Sequence, residues 1–189
     1  MNAVHGAVIL AAGASRRLGF PKQLVAIDGE PLLRRAALAV LATQPADSVV
    51  VLGHEAESCA AVIADLPVRA VIAPDWQQGM GPSLRRGVAA LDAVCTGVLV
   101  VLCDQPALDA AHLQALTSAW RASPHCAAAS GYAGIAGVPA LLPRDWLEAV
   151  ELDGDRGARA VLRARRHEVS VVVNEALARD VDSRGDLPA

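Results

Sequence analysis

The sequence is poor in aromatic residues and cysteine, and it has no strong excess of charge. Aromatic side chains make up 3% of the 189 residues, so a core must be built from Ala, Val and Leu, as in parallel sheets covered by helices. The four cysteines show no CxxC spacing and the five histidines no HxxxH pair, which argues against a zinc site. The 17 basic and 20 acidic residues give a net charge of −3, which excludes a general basic field that would attract nucleic acid.

Long apolar runs are also missing. No stretch reaches the ~18 apolar residues that a membrane-spanning helix needs, and no basic leader precedes an apolar run near the N-terminus. We therefore expect neither export nor membrane insertion, and we predict a reduced, cytoplasmic protein. The length is that of one α/β domain, so residues 1–189 are predicted to form a single domain.

Strand and helix signals alternate along the chain, which predicts an α/β fold with a three-layer, doubly wound and mostly parallel sheet of the Rossmann-like type. The strand at 98–102 is the most apolar and is predicted to be central. The polar, glycine-rich connection at 73–82 is predicted to be a working loop, and 132–137 a flexible loop. The other predicted strands are 8–10, 48–52, 68–72, 126–130, 139–142 and 169–173.

The segment after the first predicted strand has the composition of an anion-binding loop. Small residues at 11–14 leave the backbone N–H groups uncrowded, and the cations Arg16, Arg17 and Lys22 follow within eight residues. A nucleoside triphosphate is the ligand that such a loop suits. The alternative is a surface loop whose basic residues are merely solvated.

This loop is neither of the two commonest phosphate-binding loops, since both GxxxxGK[ST] and GxGxxG are missing. The pattern LAAGxSxRxGxxKQL is present instead, and it resembles the signature of the molybdenum cofactor cytidylyltransferase family, within the MobA-like NTP transferases. The resemblance implies a nucleotidyltransferase fold, with Arg17 and Lys22 as catalytic clamps on the phosphates. It also implies that the nucleotide is bound by Lys22 and by a run of four residues: Leu10, Ala11, Ala12 and Gly13.

Two acidic residues are candidate magnesium ligands. Asp104 follows the most apolar strand, and ligands in α/β sheets bind at the carboxyl ends of strands. The same family keeps a metal-binding Asp in a CDQP motif like the one here, which also implies contact between Asp104 and the nucleotide. The alternative is an Asp that starts a turn before Pro106.

The second candidate is Asp182. The segment DVDSRGDL resembles the family's closing motif, DIDTPEDL, at Asp180, Asp182, Asp186 and Leu187, and the resemblance assigns Asp182 to the metal. Here Arg and Gly replace the usual Pro and Glu. The alternative is a solvated acidic tail.

Two further motifs complete the resemblance. GMGPSL matches a family loop over the nucleotide base and ribose, which implies nucleotide recognition by Gly81 and Ser83, although a pair of helix caps would also explain the glycines. GDRGAR implies contact of Asp155 or Arg159 with the acceptor, although Asp155 would equally suit a helix N-terminus. The family often has His where Val138 stands.

The resemblance as a whole implies Mg²⁺-dependent transfer of CMP from CTP to molybdenum-bound molybdopterin, with release of pyrophosphate. The LAAG form is associated with cytidine, whereas guanylyl relatives tend to have LAGG. A molybdoenzyme or a maturation factor is the implied protein partner. Two alternatives remain: a nucleotide-dependent oxidoreductase, in which Glu55 binds a ribose, and an accessory protein that binds nucleotide without turnover.

Overall fold

The computed structural model describes residues 3–186, so Leu187 of the closing motif lies outside the described residues. The strands are β1 (His5–Ala11), β2 (Ala26–Ile27), β3 (Glu30–Pro31), β4 (Ser48–Leu52), β5 (Arg69–Ile72), β6 (Gly97–Leu102), β7 (Ala127–Tyr132), β8 (Ile135–Pro143) and β9 (Val169–Val173). The helices are α1 (Leu32–Leu41), α2 (Ala56–Ala61), α3 (Met80–Ala90), α4 (Ala110–Ala122), α5 (Arg144–Glu148) and α6 (Ala158–Ala164). No helix in this range is long and apolar enough to cross a bilayer.

Seven strands form one mixed sheet in the order β5-β4-β1-β6-β8-β7-β9. All of them run parallel except β8, which is antiparallel to both β6 and β7. This confirms the predicted α/β fold with a mostly parallel sheet, and it places β6 at the centre. The register pairs Leu10 with Leu102, so β1 and β6 end side by side. The carboxyl ends of these two strands therefore define one edge where a ligand can bind.

Each face of the sheet is covered by three helices. Alternate side chains of a strand point to opposite faces, and in β1 Ala7 and Ile9 join one core whereas Val8 and Leu10 join the other. The helices α1, α2 and α4 bury their apolar side chains in the first core, and α3, α5 and α6 in the second. Leu, Val and Ala dominate both cores, as the shortage of aromatic residues required.

One predicted element was wrong. The segment 132–137 is not a flexible loop but part of a hairpin, in which β7 and β8 are joined through Ala133 and Gly134. Both residues have positive φ, 47° and 72°, as a two-residue hairpin turn requires. Ala-Gly is a weak signal for such a turn compared with Asn-Gly, so the sequence did not reveal it. Asp109 caps α4, since its side chain accepts from the His112 amide at 2.8 Å.

A buried histidine at the start of β1 predicts acid sensitivity of the fold. His5 is 2% exposed and its Nε2 lies 3.0 Å from Thr43 Oγ1. Burial, aided by the charge of Arg121, lowers the pKa of His5 to about 4. An unfolded histidine has a pKa of ~6.5, so the unfolded chain binds the extra proton first as pH falls, and stability is lost between about pH 6.5 and 4.

We expect this site to contribute a loss of up to about 3 kcal/mol in the free energy of unfolding over that range, measured by urea denaturation at a series of pH values. His5→Gln keeps an N–H donor but does not titrate. This variant should therefore show a shallower decline, and an unchanged decline would contradict the assignment.

Candidate active site

A cavity of about 390 Å³ lies at the carboxyl ends of β1 and β6. Its lining includes seven of the residues that the sequence predicted: Leu10, Ala11, Ala12, Gly13, Lys22, Ser83 and Asp104. They come from the end of β1, the loop after it, the first turn of α3 and the end of β6. The parallel register of the two central strands is what brings these separate motifs to one place.

Lys22 is the centre of an ion-pair cluster at this cavity. Its Nζ donates to Asp104 Oδ2 at 2.6 Å and to Asp182 Oδ1 at 3.0 Å. Arg17 donates to the other oxygen of Asp182 at 2.8 Å. The structure thus brings together the two predicted phosphate clamps and the two predicted metal ligands, although Arg17 and Asp182 come from distant parts of the chain.

The segment that carries Asp182 is anchored beside β6. The amide of Val181 donates to the carbonyl of Asp104 at 2.8 Å, and the Val181 side chain is fully buried. One buried apolar residue and one backbone hydrogen bond therefore position the carboxylate that follows. This arrangement excludes the alternative of a freely solvated acidic tail at Asp182.

The cluster shifts the protonation equilibria of its members. Burial opposes the charge of Lys22, but the carboxylates of Asp104 and Asp182 outweigh it and raise the pKa of the ammonium group. The hydrogen bond from Lys22 lowers the pKa of Asp182. Partial burial, together with the charges of Asp104 and Asp182, raises the pKa of Asp180 to about 6. Negative charge is thus concentrated here, and Lys22 and Arg17 only partly balance it.

The chemistry of the donors fits a divalent cation. Asp104 lines the cavity, and its Oδ1 is buried and has no hydrogen-bond partner among the described residues, so the protein leaves one oxygen of this carboxylate unsatisfied. Hard cations such as Mg²⁺ favour one or two carboxylates together with substrate oxygens. Within residues 3–186 no three His, Cys, Asp or Glu side chains are arranged as a complete metal site, so water or substrate oxygens would complete the coordination of a metal here.

Gln23 shapes the loop that follows β1. It is 1% exposed, and its Nε2 donates to the carbonyls of Ala11 and Gly13, each at 2.8 Å. Ser15 has φ 50° and its Oγ accepts from the amide of Lys22 at 3.0 Å. The motif residues Ser15 and Gln23, to which the sequence assigned no role, therefore hold the loop and place Lys22.

Gln23→Leu should destabilise the fold by about 2 to 3 kcal/mol, because two carbonyls would lose their donor in a buried setting. Chemical denaturation measures this effect. Gln78→Leu is the matched control, since Gln78 is exposed and should change stability by less than about 0.5 kcal/mol. Equal stability of the two variants would show that the loop does not depend on Gln23.

Trp76 forms a wall of the cavity that the sequence did not identify, although it lies in the predicted working loop. Its ring lies 5.6 Å from that of His54, centroid to centroid. Gly53 makes this packing possible, because a Cβ there would lie 2.6 Å from Trp76 Cγ and 2.7 Å from the Ala12 carbonyl oxygen. A tryptophan beside Gly-rich segments was the only sequence signal for this wall.

Gly81, which the resemblance assigns to nucleotide recognition, lies outside the lining of the cavity. It does not line the cavity but packs against the segment 152–156, where its amide donates to the Gly154 carbonyl at 2.8 Å and an added Cβ would lie 2.7 Å from Asp153 N. Close backbone packing therefore explains this glycine in the structure. Ser83 and Asp155 both line the cavity. Cys103 is buried, and burial raises the pKa of its thiol, so it is not a reactive thiolate.

The chain is similar in sequence to proteins of one known family. The sequence profile of the MobA-like NTP transferase domain matches residues 7–170. Nicotine blue oxidoreductase of Paenarthrobacter nicotinovorans is 33% identical over 188 residues, which cover 93% of this chain and 91% of that protein.

The chain also has the fold of several proteins whose structures are solved. Rv0371c of Mycobacterium tuberculosis H37Rv superposes with a TM-score of 0.84 at 28% identity, over 97% of this chain and 95% of that one. A structure of Rv0371c in complex with manganese superposes with a TM-score of 0.80 at 26% identity, over 97% and 95% of the two chains. The fold also matches a nucleotidyl transferase of Methanothermobacter thermautotroptrophicus, Mth528, with a TM-score of 0.81 at 21% identity over 97% and 94% of the two chains. The chain therefore belongs to the MobA-like NTP transferase domain family, a family of nucleotidyltransferases.

Proposed function

We propose that this chain is a Mg²⁺-dependent cytidylyltransferase. It transfers CMP from CTP to the terminal phosphate of an acceptor, molybdenum-bound molybdopterin, and releases pyrophosphate. The observation that carries the proposal is the position of Lys22, held between Asp104 and Asp182 at a cavity lined by uncrowded backbone. A cation and two carboxylates beside an anion-binding loop are what transfer of a nucleotidyl group needs.

The basic residues of the cluster stabilise charge on the reacting phosphate. Lys22 supplies a compact positive charge at the cavity, and Arg17 supplies a planar fork that pairs with Asp182. When the acceptor oxygen attacks the α-phosphate of CTP, negative charge accumulates on the phosphate oxygens and on the leaving pyrophosphate. Both cations are placed to neutralise that charge, which is the largest catalytic effect available to such a site.

Asp104 and Asp182 are the residues that would hold the metal. The unpartnered Oδ1 of Asp104 supports this role, as does the manganese complex of Rv0371c. A magnesium ion held by these carboxylates would neutralise negative charge on phosphate oxygens. Lys22 holds the two carboxylates close together, so the chain's own residues preorganise the site.

The loop after β1 supports the choice of CTP. Ala12 is 7% exposed and lines the cavity at the position where guanylyl relatives tend to have glycine. We propose that this alanine favours CTP, as the LAAG form does in the family that the chain resembles. The backbone of Leu10 to Gly13, with its carbonyls held by Gln23, and Ser83 of α3 are the proposed nucleotide contacts. For Gly81 we propose an indirect role, since it packs the loop against 152–156.

Incubation with radiolabelled CTP or GTP, Mg²⁺ and candidate acceptors tests the proposal. Pyrophosphate should be released with CTP in preference to GTP, and only when an acceptor and a divalent cation are both present. Release with GTP but not with CTP would show that the nucleotide substrate is GTP. The absence of release with every phosphorylated acceptor would contradict the proposal.

The name of one relative favours a second candidate, a nucleotide-dependent oxidoreductase. In this version Glu55, which follows β4, would bind a ribose hydroxyl. The missing GxGxxG loop argues against it. Oxidation of a reduced nicotinamide cofactor by the purified protein in the presence of an electron-accepting dye, followed at the absorbance of the cofactor, would support this candidate over transfer of CMP.

We also propose that the chain acts as one NTP-transferase domain, and that its product is passed to a molybdoenzyme or to a maturation factor.

A further inference from the structure

Gln105 follows Asp104 directly, and its side chain is buried outside the cavity. It is 4% exposed and is not part of the cavity lining. Its Nε2 donates to the Leu177 carbonyl at 3.0 Å and, at a longer 3.4 Å, to the Val138 carbonyl. Its Oε1 is buried and has no hydrogen-bond partner among the described residues. The amide group therefore acts as a donor to two backbone carbonyls from distant parts of the chain.

Of these two carbonyls, the one that depends on Gln105 is that of Leu177. The Val138 carbonyl, in β8, also accepts from the Tyr132 hydroxyl at 2.8 Å. The Leu177 carbonyl, in the short helical turn Glu175–Ala178, accepts from Gln105 alone among the described residues. Because Leu177 is fully buried, water is a poor substitute for this donor.

Two neighbouring residues thus hold the closing segment, residues 177–182, at two points. The side chain of Gln105 holds the carbonyl of Leu177, and the backbone carbonyl of Asp104 accepts from the amide of Val181 at 2.8 Å. The two hydrogen bonds lie four residues apart on the closing segment, so they fix its direction as well as its position. A single contact at Val181 would leave the segment free to pivot. Asp182 follows immediately after the second contact.

The geometry between the carboxylates of Asp104 and Asp182 depends on these backbone contacts. Lys22 bridges the two carboxylates, but an ammonium group is a compact charge on a flexible stem and sets no particular orientation. The side chain of Asp182 is 40% exposed, so close packing does not fix it either. Magnesium requires nearly ideal octahedral geometry, and a small displacement of one carboxylate therefore weakens its binding.

We propose that Gln105 is a positioning residue, which sets the distance between the carboxylates of Asp104 and Asp182 through its hydrogen bond to Leu177. This inference rests on the proposed function, in which those two carboxylates hold the divalent cation. Gln105 itself contacts neither the cation nor the nucleotide. Without its donor the Leu177 carbonyl is buried and unpaired, so the closing segment opens locally to hydrate it and moves Asp182 away from Asp104.

Gln105→Met tests this role, because methionine keeps the length of the side chain and removes the donor. In the full chain without metal or nucleotide, hydrogen exchange at the Val181 amide should become about 10-fold faster, while exchange in β4 stays unchanged. The affinity for Mn²⁺·CTP, measured by calorimetry, should fall about 10-fold. The affinity for CTP in the presence of a chelator should change less than about 2-fold, since the nucleotide contacts remain.

Two control variants accompany this experiment. Gln114→Met removes a glutamine that donates to the Ala42 carbonyl at 3.0 Å, away from the cavity. Thr117→Val removes a buried hydroxyl that donates to the Gln114 carbonyl at 2.9 Å, so it controls for a general loss of stability. Neither variant should change exchange at Val181 or the affinity for Mn²⁺·CTP.

The outcomes separate this inference from the proposed function. An unchanged exchange rate at Val181, or an unchanged affinity for Mn²⁺·CTP, in a folded Gln105→Met protein would overturn the inference. If that variant does not fold, Gln105→Asn, which keeps the amide on a shorter side chain, should show both changes at about 3-fold, and their absence would overturn it equally. If both changes occur but the wild type releases no pyrophosphate with any acceptor, the proposed function is wrong and the positioning role of Gln105 stands.

Discussion

Replacement of Lys22 with alanine is expected to lower the turnover number for pyrophosphate release by about 100-fold or more, because it removes positive charge from the transition state. Lys22 is the only lysine of the chain, so no other ammonium group can take its place. Its side chain is 19% exposed, and its charge is therefore poorly screened by solvent. The loss should appear mainly in kcat, since the charge develops after the nucleotide has bound.

The same substitution leaves Asp104 and Asp182 facing each other with Arg17 as the remaining cation. The unfolding transition of Lys22→Ala must therefore be measured beside its activity, so that loss of the fold is not mistaken for loss of chemistry. Lys22→Arg keeps the charge but changes its shape, and it should recover part of the activity. Full activity of a folded Lys22→Ala protein would show that Lys22 does not act on the reacting phosphate.

Asp104→Asn is the second substitution with a large expected effect. Asparagine has the shape of aspartate and can still accept from Lys22, but it lacks the negative charge that a divalent cation requires. We expect at least about a 100-fold loss of turnover, together with a marked loss of affinity for Mn²⁺ measured by electron paramagnetic resonance in the presence of nucleotide. The unpartnered, buried Oδ1 of Asp104 is the reason for expecting both losses together.

Asp109→Asn is the matched control for this experiment. Asp109 caps α4 five residues further along the chain, and asparagine caps a helix about as well as aspartate. Asp109→Asn should therefore keep activity, metal affinity and stability. If Asp104→Asn bound Mn²⁺ as tightly as the wild type does, the metal ligands would have to lie elsewhere in the molecule.

Much of the molecule could be predicted from local sequence. The strand at 48–52 has the predicted bounds and β6 differs by one residue, because short apolar runs that end at Gly or Asp mark buried parallel strands. The loop after β1 and the position of Asp104 after β6 could also be predicted. Small residues interrupt the apolar sequence at the first place, and a charged residue interrupts it at the second. In each case the signal lies within a few residues, where periodicity and side-chain size act directly on the backbone.

The positions of other groups depended on contacts across the fold. The pairing of Asp182 with Lys22 spans 160 residues and needs Val181 to be buried beside β6. The packing of Gly81 against 152–156, the hairpin through Ala133 and Gly134 and the place of Trp76 also arise from contacts between elements.

Residue types and local pattern by themselves determined most of the strands and helices, and which residues carry charge at their ends. Only the tertiary structure decided which of those charges meet at one cavity. The physical reason is that hydrophobic periodicity specifies which face of an element is buried, whereas strand order and register specify what lies opposite that face.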